Sequence, residues 1–387
     1  MANTLTALAP VLYEAAHAVS NEPFGVVNHI TVDFDKVGVA KGDNIVVPVA
    51  PIRAATDFTP ANVSTAGDNA TASNVIVQIT QSKKVSWHLT GEQIRSLDNA
   101  TVSKEWIRQL IAQGIRTLRN LVEADACLAI KQGASRAVIS GTLGTPTVPF
   151  ATDLSALTGL YKLLKDNGAP MADLQCVFDT GAGLNLRNLG IIQNAYQAGT
   201  DAERRNGSLL RQFGFELSET AGIVAHTKGT NASAATIDAT GYVAGSTALG
   251  TSAAGTGTIV VGDVVTFAGD TNNYVVNGGV AAMGTAGVLT LARPGLKVAM
   301  SAATKAITVG SSYTPHLAFE RSAVVGVYRP PLIPENPTIN QLPISDSSGL
   351  TFLLLDIAQY GQRTWELHIA YGNKVVQPEH VAILMGA

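Results

Sequence analysis

Charged side chains are scarce in this sequence. They make up 14% of its 387 residues, whereas roughly a quarter is usual in a soluble protein. Hydrophobic residues make up 46%. Either an unusual share of the chain is buried, or much of its surface is covered by other copies of the chain. The formal net charge is −3 and no block of Lys or Arg occurs, which excludes strong binding to a phosphate backbone.

Cysteine and long apolar runs are also scarce. The two cysteines, Cys127 and Cys176, are interpreted as small core residues in a reducing compartment, with a single disulfide between them as the alternative. No apolar run approaches the ~18 residues of a membrane span. The first 20 residues lack a basic segment and a long apolar core, so we expect no secretory signal and a product that stays in the cytosol until it is released.

Motifs that carry chemistry are missing as well. The segment TGAG follows a predicted strand, but Leu186 occupies the third glycine position of a dinucleotide loop, so a helix start is the better interpretation. The seven histidines are dispersed, without an HExxH or a His/Cys cluster. No nucleophile elbow or Ser-x-x-Lys motif occurs, and the carboxylates are too scattered for an acid/base pair. The sequence therefore predicts no enzyme, no cofactor and no metal site.

The strongest pattern present is a helix over residues 101–133. Apolar residues recur there in steps of three and four and form one stripe. The predicted core positions on this stripe are Trp106, Leu110, Ile111, Leu118, Leu121 and Val122. The polar residues expected to meet water are Lys104, Arg108, Arg116, Arg119, Glu123 and Lys131. Such a helix is roughly 45 Å long, which exceeds the usual three or four turns and indicates a girder for a flat, extended molecule.

Two alternating runs on either side of a polar middle segment predict a long β-hairpin before this helix. Pro48 and Pro51 would suit an edge or a projecting arm better than a central strand. The middle, residues 54–73, has few apolar side chains, so it cannot offset the ordering entropy of about 1–2 kcal/mol per residue within one subunit. We expect contacts with a neighbouring subunit to order it.

The few charges of the arm are candidates for ion pairs between subunits, with simple solvation as the alternative. They are Arg53, Asp57 and Asp68. After the arm, Thr90 and Gln93 have the spacing of a capping box, which predicts a short helix over residues 91–97 that leads into the long one.

The remaining chain predicts an interrupted α/β domain. Residues 3–20 are apolar at helical spacing, which favours an amphipathic helix, with a partner-binding arm as the alternative. Residues 153–166 predict a helix and residues 174–179 a buried strand. From 228 to 312 the chain becomes rich in Gly, Ala, Thr and Val, and its short alternating runs are typical of a small β-barrel or sandwich. Low complexity is the competing interpretation. Ordinary α/β composition then resumes, ending in three strands.

This order of elements resembles the major capsid protein of tailed bacteriophages, the Hong Kong 97-like fold, and within it the short-tailed-phage coat proteins with an inserted β-barrel domain. Three segments carry the likeness: VVGDVVTFAG, HLAFERSAVVGV and AYGNKVVQPEHVAILMG. The resemblance implies an α+β fold with a long spine helix, an extended hairpin arm, an α/β axial domain and an all-β inserted domain.

The domain boundaries expected from this resemblance follow the composition changes. They are 1–40 for the N-terminal arm and first strand, 41–90 for the extended hairpin arm, 91–150 for the peripheral domain, 151–227 and 313–335 for the axial domain, 228–312 for the inserted domain, and 336–387 for the closing strands.

The resemblance implies a shell protein whose hexamers and pentamers tile an icosahedral capsid around double-stranded DNA, without sequence-specific contacts. Its implied partners are a portal ring, a decoration protein and a separate scaffolding protein, since only about 40 residues precede the hairpin. Its implied location is the virion, assembled in the host bacterial cytoplasm, with no membrane. Relatives cross-link a hairpin Lys to an Asn, but no Lys occurs between Arg53 and Ser82, so we expect no cross-link. The alternatives are an encapsulin-like nanocompartment shell and a surface-layer or adhesin-type protein.

Overall fold

The computed structural model describes residues 25–35, 37–49, 73–99, 103–190, 212–231, 235–334, 339–345 and 350–387. Its helices are α1 (Gly91–Asn99), α2 (Ser103–Gly133), α3 (Ser155–Asp166) and α4 (Thr180–Asn188). Its strands are β1 (Thr31–Phe34), β2 (Asn44–Val49), β3 (Ser73–Gln78), β4 (Gln81–Thr90), β5 (Arg136–Ile139), β6 (Gly141–Thr142), β7 (Thr145–Pro146), β8 (Leu174–Phe178), β9 (Phe215–Glu219), β10 (Thr236–Ile237), β11 (Ala248–Thr251), β12 (Val264–Phe267), β13 (Tyr274–Gly278), β14 (Gly287–Leu291), β15 (Lys305–Val309), β16 (Thr314–Glu320), β17 (Val324–Arg329), β18 (Ile339–Ser345), β19 (Thr351–Gln359), β20 (Gln362–Val375) and β21 (Val381–Gly386). The chain is a mixed α+β protein with much sheet and few helices.

Helix α2 packs along the longest strand, β20, as its apolar stripe requires. Ile111, Leu118 and Val122 are buried at 0–1% exposure and share one hydrophobic core with side chains of β20. A Cβ added to Gly114 would lie 3.3 Å from the ring of Trp87 on β4, so a glycine at this position lets the strand approach the helix closely. The long helix and three of its expected core residues are therefore present.

Two of the expected core residues lie elsewhere. Trp106 and Leu121 are each 37% exposed, and Leu110 is only partly buried. Apolar side chains cover more of the circumference of α2 than the single face that the sheet covers. The expectation that Glu123 and Lys131 meet water is also wrong, because they are only 6% and 7% exposed. The same correction applies to Arg119, which is 4% exposed.

The capping box before α1 is confirmed. The Thr90 backbone N–H donates to Gln93 Oε1 at 3.0 Å, and the Gln93 N–H donates to Thr90 Oγ1 at 3.3 Å. These two bonds satisfy donors that the first turn of a helix leaves without partners. The helix continues to Asn99, two residues beyond its expected end.

The expected hairpin is divided between two sheets. Strands β2 and β3 pair antiparallel as a two-stranded ribbon, but the run that continues from β3 breaks before Gln81. The backbone of Ile79 exchanges hydrogen bonds with Gly42 and Asp43, which closes the base of the ribbon. Strand β4 then pairs antiparallel along β20. It belongs to a six-stranded sheet in which β1, β17, β20, β19 and β18 lie in that order.

A second sheet is buried on both faces. Its strands β5, β21, β16, β8 and β9 lie in that order with mixed parallel and antiparallel pairing. Along β16, Leu317 and Phe319 face the core under α2, whereas Ala318 faces a core that includes apolar residues of α3 and α4. Such a strand reads as a continuous apolar run.

The Gly- and Thr-rich stretch forms a closed barrel. Strands β12, β15, β10, β11, β14 and β13 pair in this order, each antiparallel to the next, and β13 pairs back with β12. The ring encloses its own apolar cluster, which includes Phe267, Tyr274 and Leu289. Of the two architectures left open by the sequence, the strands adopt the barrel. Tyr274 of β13 also pairs with Arg136 of β5, which joins the barrel to the second sheet.

Candidate assembly surfaces

Within the described residues, no group of three or more His, Cys, Asp or Glu side chains could hold a metal ion. None of the helices in those ranges is both long and apolar enough to cross a membrane. The thiols of Cys127 and Cys176 are free and buried, and burial raises the pKa of Cys176 to about 12. The surfaces with functional potential are instead apolar areas that the fold leaves uncovered.

The first surface is the outer face of the β2–β3 ribbon. Side chains alternate between its two faces, and the inner face packs on a core that contains Val77 at 0% exposure. On the outer face, Val46 lies directly opposite Ile76. These two side chains are 54% and 46% exposed. Pro48, opposite Asn74, extends the same face.

This ribbon carries no charged side chain in either strand. Natural sheets usually protect an exposed edge with charge or a short strand, because an unpaired edge attracts other chains. Here the pair β2–β3 forms a sheet of its own among the described strands, and the Lys374 Nζ donates to the Ile76 carbonyl at 2.9 Å. The outer face is therefore uncharged, with Val46 and Ile76 between the polar Asn44, Asn74 and Gln78, and it is suited to packing against another protein surface.

The second surface is the uncovered side of α2. Leu121 and Leu128 are 37% and 43% exposed, and Trp106 lies at the edge of a groove of about 430 Å³. The groove is lined by Trp106, Arg108, Gln109, Leu110, Ala112, Gln113 and Arg116. Beside it, hydrogen bonds from Arg108 and Gln109 lower the pKa of Glu105 to about 2. The groove thus combines three apolar residues with Arg and Gln side chains, and a carboxylate that remains ionised lies beside it.

The sequence-based site residues divide into three groups. Ile111, Leu118 and Val122 lie in the core as expected, with Leu110 only partly buried. Arg53, Asp57 and Asp68, the expected ion-pair candidates of the arm, lie outside the described residues. Trp106 and Leu121 were expected in the core but belong to the uncovered side of α2.

Val46 and Ile76 were not singled out from the sequence. Each lies on the outer face with polar residues around it, Asn44 in β2 and Asn74 and Gln78 in β3. The signal that could have identified them was an apolar residue set among the polar positions of the outer face.

No protein-family model matches the sequence, and no curated protein matches it. Several solved structures are similar over nearly the whole chain. The capsid of the cyanophage P-SCSP1u aligns with 95% of this chain and 90% of its own, at 13% identity and a TM-score of 0.49. The mature capsid of bacteriophage PhiM1 aligns with 95% and 88%, at 11% identity and a TM-score of 0.46. A virus-like particle from Pyrococcus furiosus aligns with 97% and 98%, at 10% identity and a TM-score of 0.45. Phage capsids are thus among the solved structures that this chain resembles, but at these scores the surfaces described above carry the functional proposal.

Proposed function

We propose that this chain is a capsid shell protein that assembles with copies of itself. The observation that carries the proposal is the uncharged β2–β3 ribbon, whose outer face exposes Val46 opposite Ile76. A protein that acts alone gains nothing from such a face, whereas a shell subunit covers it with a neighbour. The uncovered side of α2 is a second area available for the same purpose.

Burial of the Val46–Ile76 pair contributes a modest free energy that a shell repeats at every subunit. Fully burying a Val or Ile side chain contributes roughly 1.5–3 kcal/mol, and about half of each side chain in this pair is still exposed. The pair therefore contributes on the order of 1–3 kcal/mol per contact. In a ring closed by heterologous contacts, every subunit both gives and receives the contact, so this small term is repeated throughout the shell.

The finer proposal is a major capsid protein of a tailed bacteriophage. Its hexamers and pentamers form an icosahedral shell around double-stranded DNA, with a portal ring, a separate scaffolding protein and a decoration protein as partners, in a virion assembled in the host bacterial cytoplasm. The net charge of −3 and the absence of a Lys/Arg block support loose contact with DNA. The domain division and the role of the barrel as an inserted domain belong to this proposal, as does a purely structural, non-enzymatic role.

The test places a charge on the ribbon without disturbing a core. Val46→Asp and Ile76→Asp are compared with Val243→Asp, in which an equally drastic change falls on a 73% exposed valine near the barrel strands. All three should keep the wild-type circular dichroism spectrum. In negative-stain microscopy and light scattering, the two ribbon variants should fail to form shells while Val243→Asp forms them.

Normal shells from both ribbon variants would refute the ribbon as an assembly surface. If shells form, their content separates the finer proposals: nuclease-protected double-stranded DNA in particles from infected cells supports the capsid, and enclosed protein cargo supports the nanocompartment alternative. Arg53, Asp57 and Asp68 remain proposed inter-subunit ion-pair residues. Arg53→Glu should weaken assembly and regain it when a partner carboxylate in the neighbouring subunit is changed to Lys.

A further inference from the structure

The two chain crossings between the barrel and the rest of the protein lie together at one junction, which adds to the pairing of β13 with β5. The chain leaves for the barrel after His226 and returns at Tyr313. The backbones of these residues exchange hydrogen bonds of 2.7 and 3.1 Å, and their rings pack with centroids 5.0 Å apart. The Lys228 N–H also donates to Ser312 Oγ at 3.1 Å. Both crossings are therefore tied together where the barrel begins.

Three buried ionisable side chains meet at this junction and form a relay. Lys131, near the end of α2, is 7% exposed, His226 is 5% exposed and Asp263, just before β12, is 1% exposed. The Lys131 Nζ lies 3.4 Å from His226 Nδ1, and His226 Nε2 lies 2.8 Å from Asp263 Oδ1. The relay thus spans from the long helix, through the junction, to the barrel.

The chemistry of the three groups fixes the proton positions. A Lys ammonium can only donate and an ionised carboxylate can only accept. His226 satisfies both partners when it is neutral, with its proton on Nε2 donated to Asp263 and its Nδ1 accepting from Lys131. The neutral imidazole of His226 thus bridges the ammonium of Lys131 and the carboxylate of Asp263.

The surroundings hold the relay in place. Both oxygens of Asp263 accept from the Gly229 N–H at 3.2 Å, and Oδ2 accepts from the Val260 N–H at 2.8 Å. Gly262 has a φ of +95°, and a Cβ there would lie only 3.2 Å from His226 Cε1. On the helix side, Asn277 of β13 donates to the Gln132 carbonyl at 2.8 Å, which satisfies one of the free carbonyls at the helix end.

We propose that Lys131, His226 and Asp263 form a pH-sensitive clamp that holds the barrel on the end of α2 while His226 is neutral and loosens when His226 is protonated. A second proton on His226 enters at Nδ1, where it removes the acceptor used by Lys131. It also places an imidazolium 3.4 Å from an ammonium, and two like charges at that distance repel strongly in a buried site. The proposal does not depend on the function proposed above.

Tyr313, whose ring packs on His226, does not offset this repulsion. Tyr313 donates its hydroxyl to the Gly262 carbonyl at 2.6 Å, and burial raises its pKa, so it stays neutral. Asp263 is the only anion among the side chains in contact with His226 in the described part of the chain, and its oxygens are already occupied by backbone donors. Burial lowers the pKa of Lys131, with Asp263 opposing the shift. A neutral Lys131 would present no like charge to protonated His226, and the clamp would then stay closed in acid.

Amide hydrogen exchange of the full-length protein tests the clamp, with mass spectrometry of the peptides at the junction. After correction for intrinsic exchange rates, protection around residues 226–231 and 260–265 should fall by at least about tenfold between pH 7.5 and pH 5.5. His226→Gln keeps one donor and one acceptor but cannot titrate. Its protection should stay constant over the same range.

Lys131→Met gives the sharpest outcome, because it should abolish or reverse the loss of protection in acid. Without the ammonium, protonated His226 pairs with Asp263 and meets no like charge, so acid should leave protection unchanged or increase it. Peptides of β19, a strand outside the junction, serve as an internal reference for general acid effects. Equal pH dependence in wild type and His226→Gln, or an unchanged acid loss in Lys131→Met, would overturn the proposal.

Discussion

The buried carboxylate of Glu123 provides a sharp test of how α2 holds the start of the described chain. Its Oε1 accepts from the Gly25 N–H at 2.9 Å, the Val26 N–H at 3.1 Å and the Thr220 hydroxyl at 2.5 Å. The side chain is 6% exposed. One oxygen on the helix therefore connects two segments that lie almost a hundred residues away from it in either direction.

Two substitutions separate the oxygen from its charge. Glu123→Gln keeps a carbonyl oxygen for the three donors, whereas Glu123→Leu removes it at similar volume. A buried donor without a partner costs about 1–3 kcal/mol, so Glu123→Leu should lower the free energy of unfolding by roughly 3–5 kcal/mol. Glu123→Gln should lose less than about 2 kcal/mol at neutral pH, since a neutral amide avoids the desolvation of a buried charge.

The pH dependence has a defined sign. Desolvation raises the pKa of Glu123 above its ordinary 4.5, against the hydrogen bonds from Thr220, Val26 and Gly25. A raised pKa means that the folded chain binds the Glu123 proton more tightly than the unfolded chain does. Glu123 therefore contributes most to stability at pH values below its ordinary pKa. That contribution is lost as pH rises through the raised pKa. Wild type should therefore lose stability relative to Glu123→Gln between about pH 5 and pH 8.

Urea denaturation at several pH values measures both effects, with the slope of each transition as a check that the unfolding remains comparable. Equal losses in Glu123→Gln and Glu123→Leu would refute the role of the shared oxygen. If wild type instead gained stability relative to Glu123→Gln as the pH rose, the direction of the pKa shift would be refuted.

Further predictions concern the first turn, the core, the thiols and the barrel. Thr90→Ala and Gln93→Ala should each cost about 0.5–2 kcal/mol in urea denaturation, because each removes one capping bond; unchanged stability in both would contradict a working capping box. Leu118→Ala should cost about 2–5 kcal/mol in the same assay, and a loss below about 0.5 kcal/mol would show that the site is not a sealed core position. Both cysteine thiols should react with an aromatic disulfide reagent only on unfolding, since burial raises their pKa, and rapid reaction of the native protein would contradict their burial. Residues 228–312 expressed alone should give dispersed amide NMR signals and a cooperative melt, whereas a random-coil spectrum would show that the barrel needs its neighbours.

The sequence correctly predicted the elements whose signals involve residues close together in the chain. The capping box at Thr90 and the long stripe of α2 involve residues three or four positions apart, and both are present as expected. The short alternating runs between glycines became barrel strands for the same reason. Strand β18 was missed: only three closing strands were expected, and the pairing of β18 with β19 is not visible in its own pattern. The division between β3 and β4 was missed because the partner of β4 is β20, almost three hundred residues later.

The candidate assembly surfaces were harder to predict, because periodicity identifies an apolar face without identifying what covers it. Trp106 and Leu121 follow the same spacing as Leu118 on α2, yet only Leu118 is buried. The ribbon presents the same ambiguity in a strand. Val46 and Val47 are both apolar, and only the position of the neighbouring core makes one the outer residue and the other the inner one. The low charge of the sequence indicated that such uncovered surfaces exist but not where they lie.

Helix α2 holds its neighbours at two ionisable sites that should respond to acid in opposite ways. At Glu123, the raised pKa means that acid adds a proton the folded chain already binds more tightly than the unfolded one, so the attachment of Gly25 and Val26 is retained. At Lys131, acid adds a charge to His226 beside an existing one, so the attachment of the barrel weakens. The two sites lie eight residues apart on one helix, roughly 12 Å along its axis. Mild acid should therefore free the barrel end of α2 while the Glu123 end stays fixed, and hydrogen exchange that loosens at both sites together would show that the helix responds as one unit.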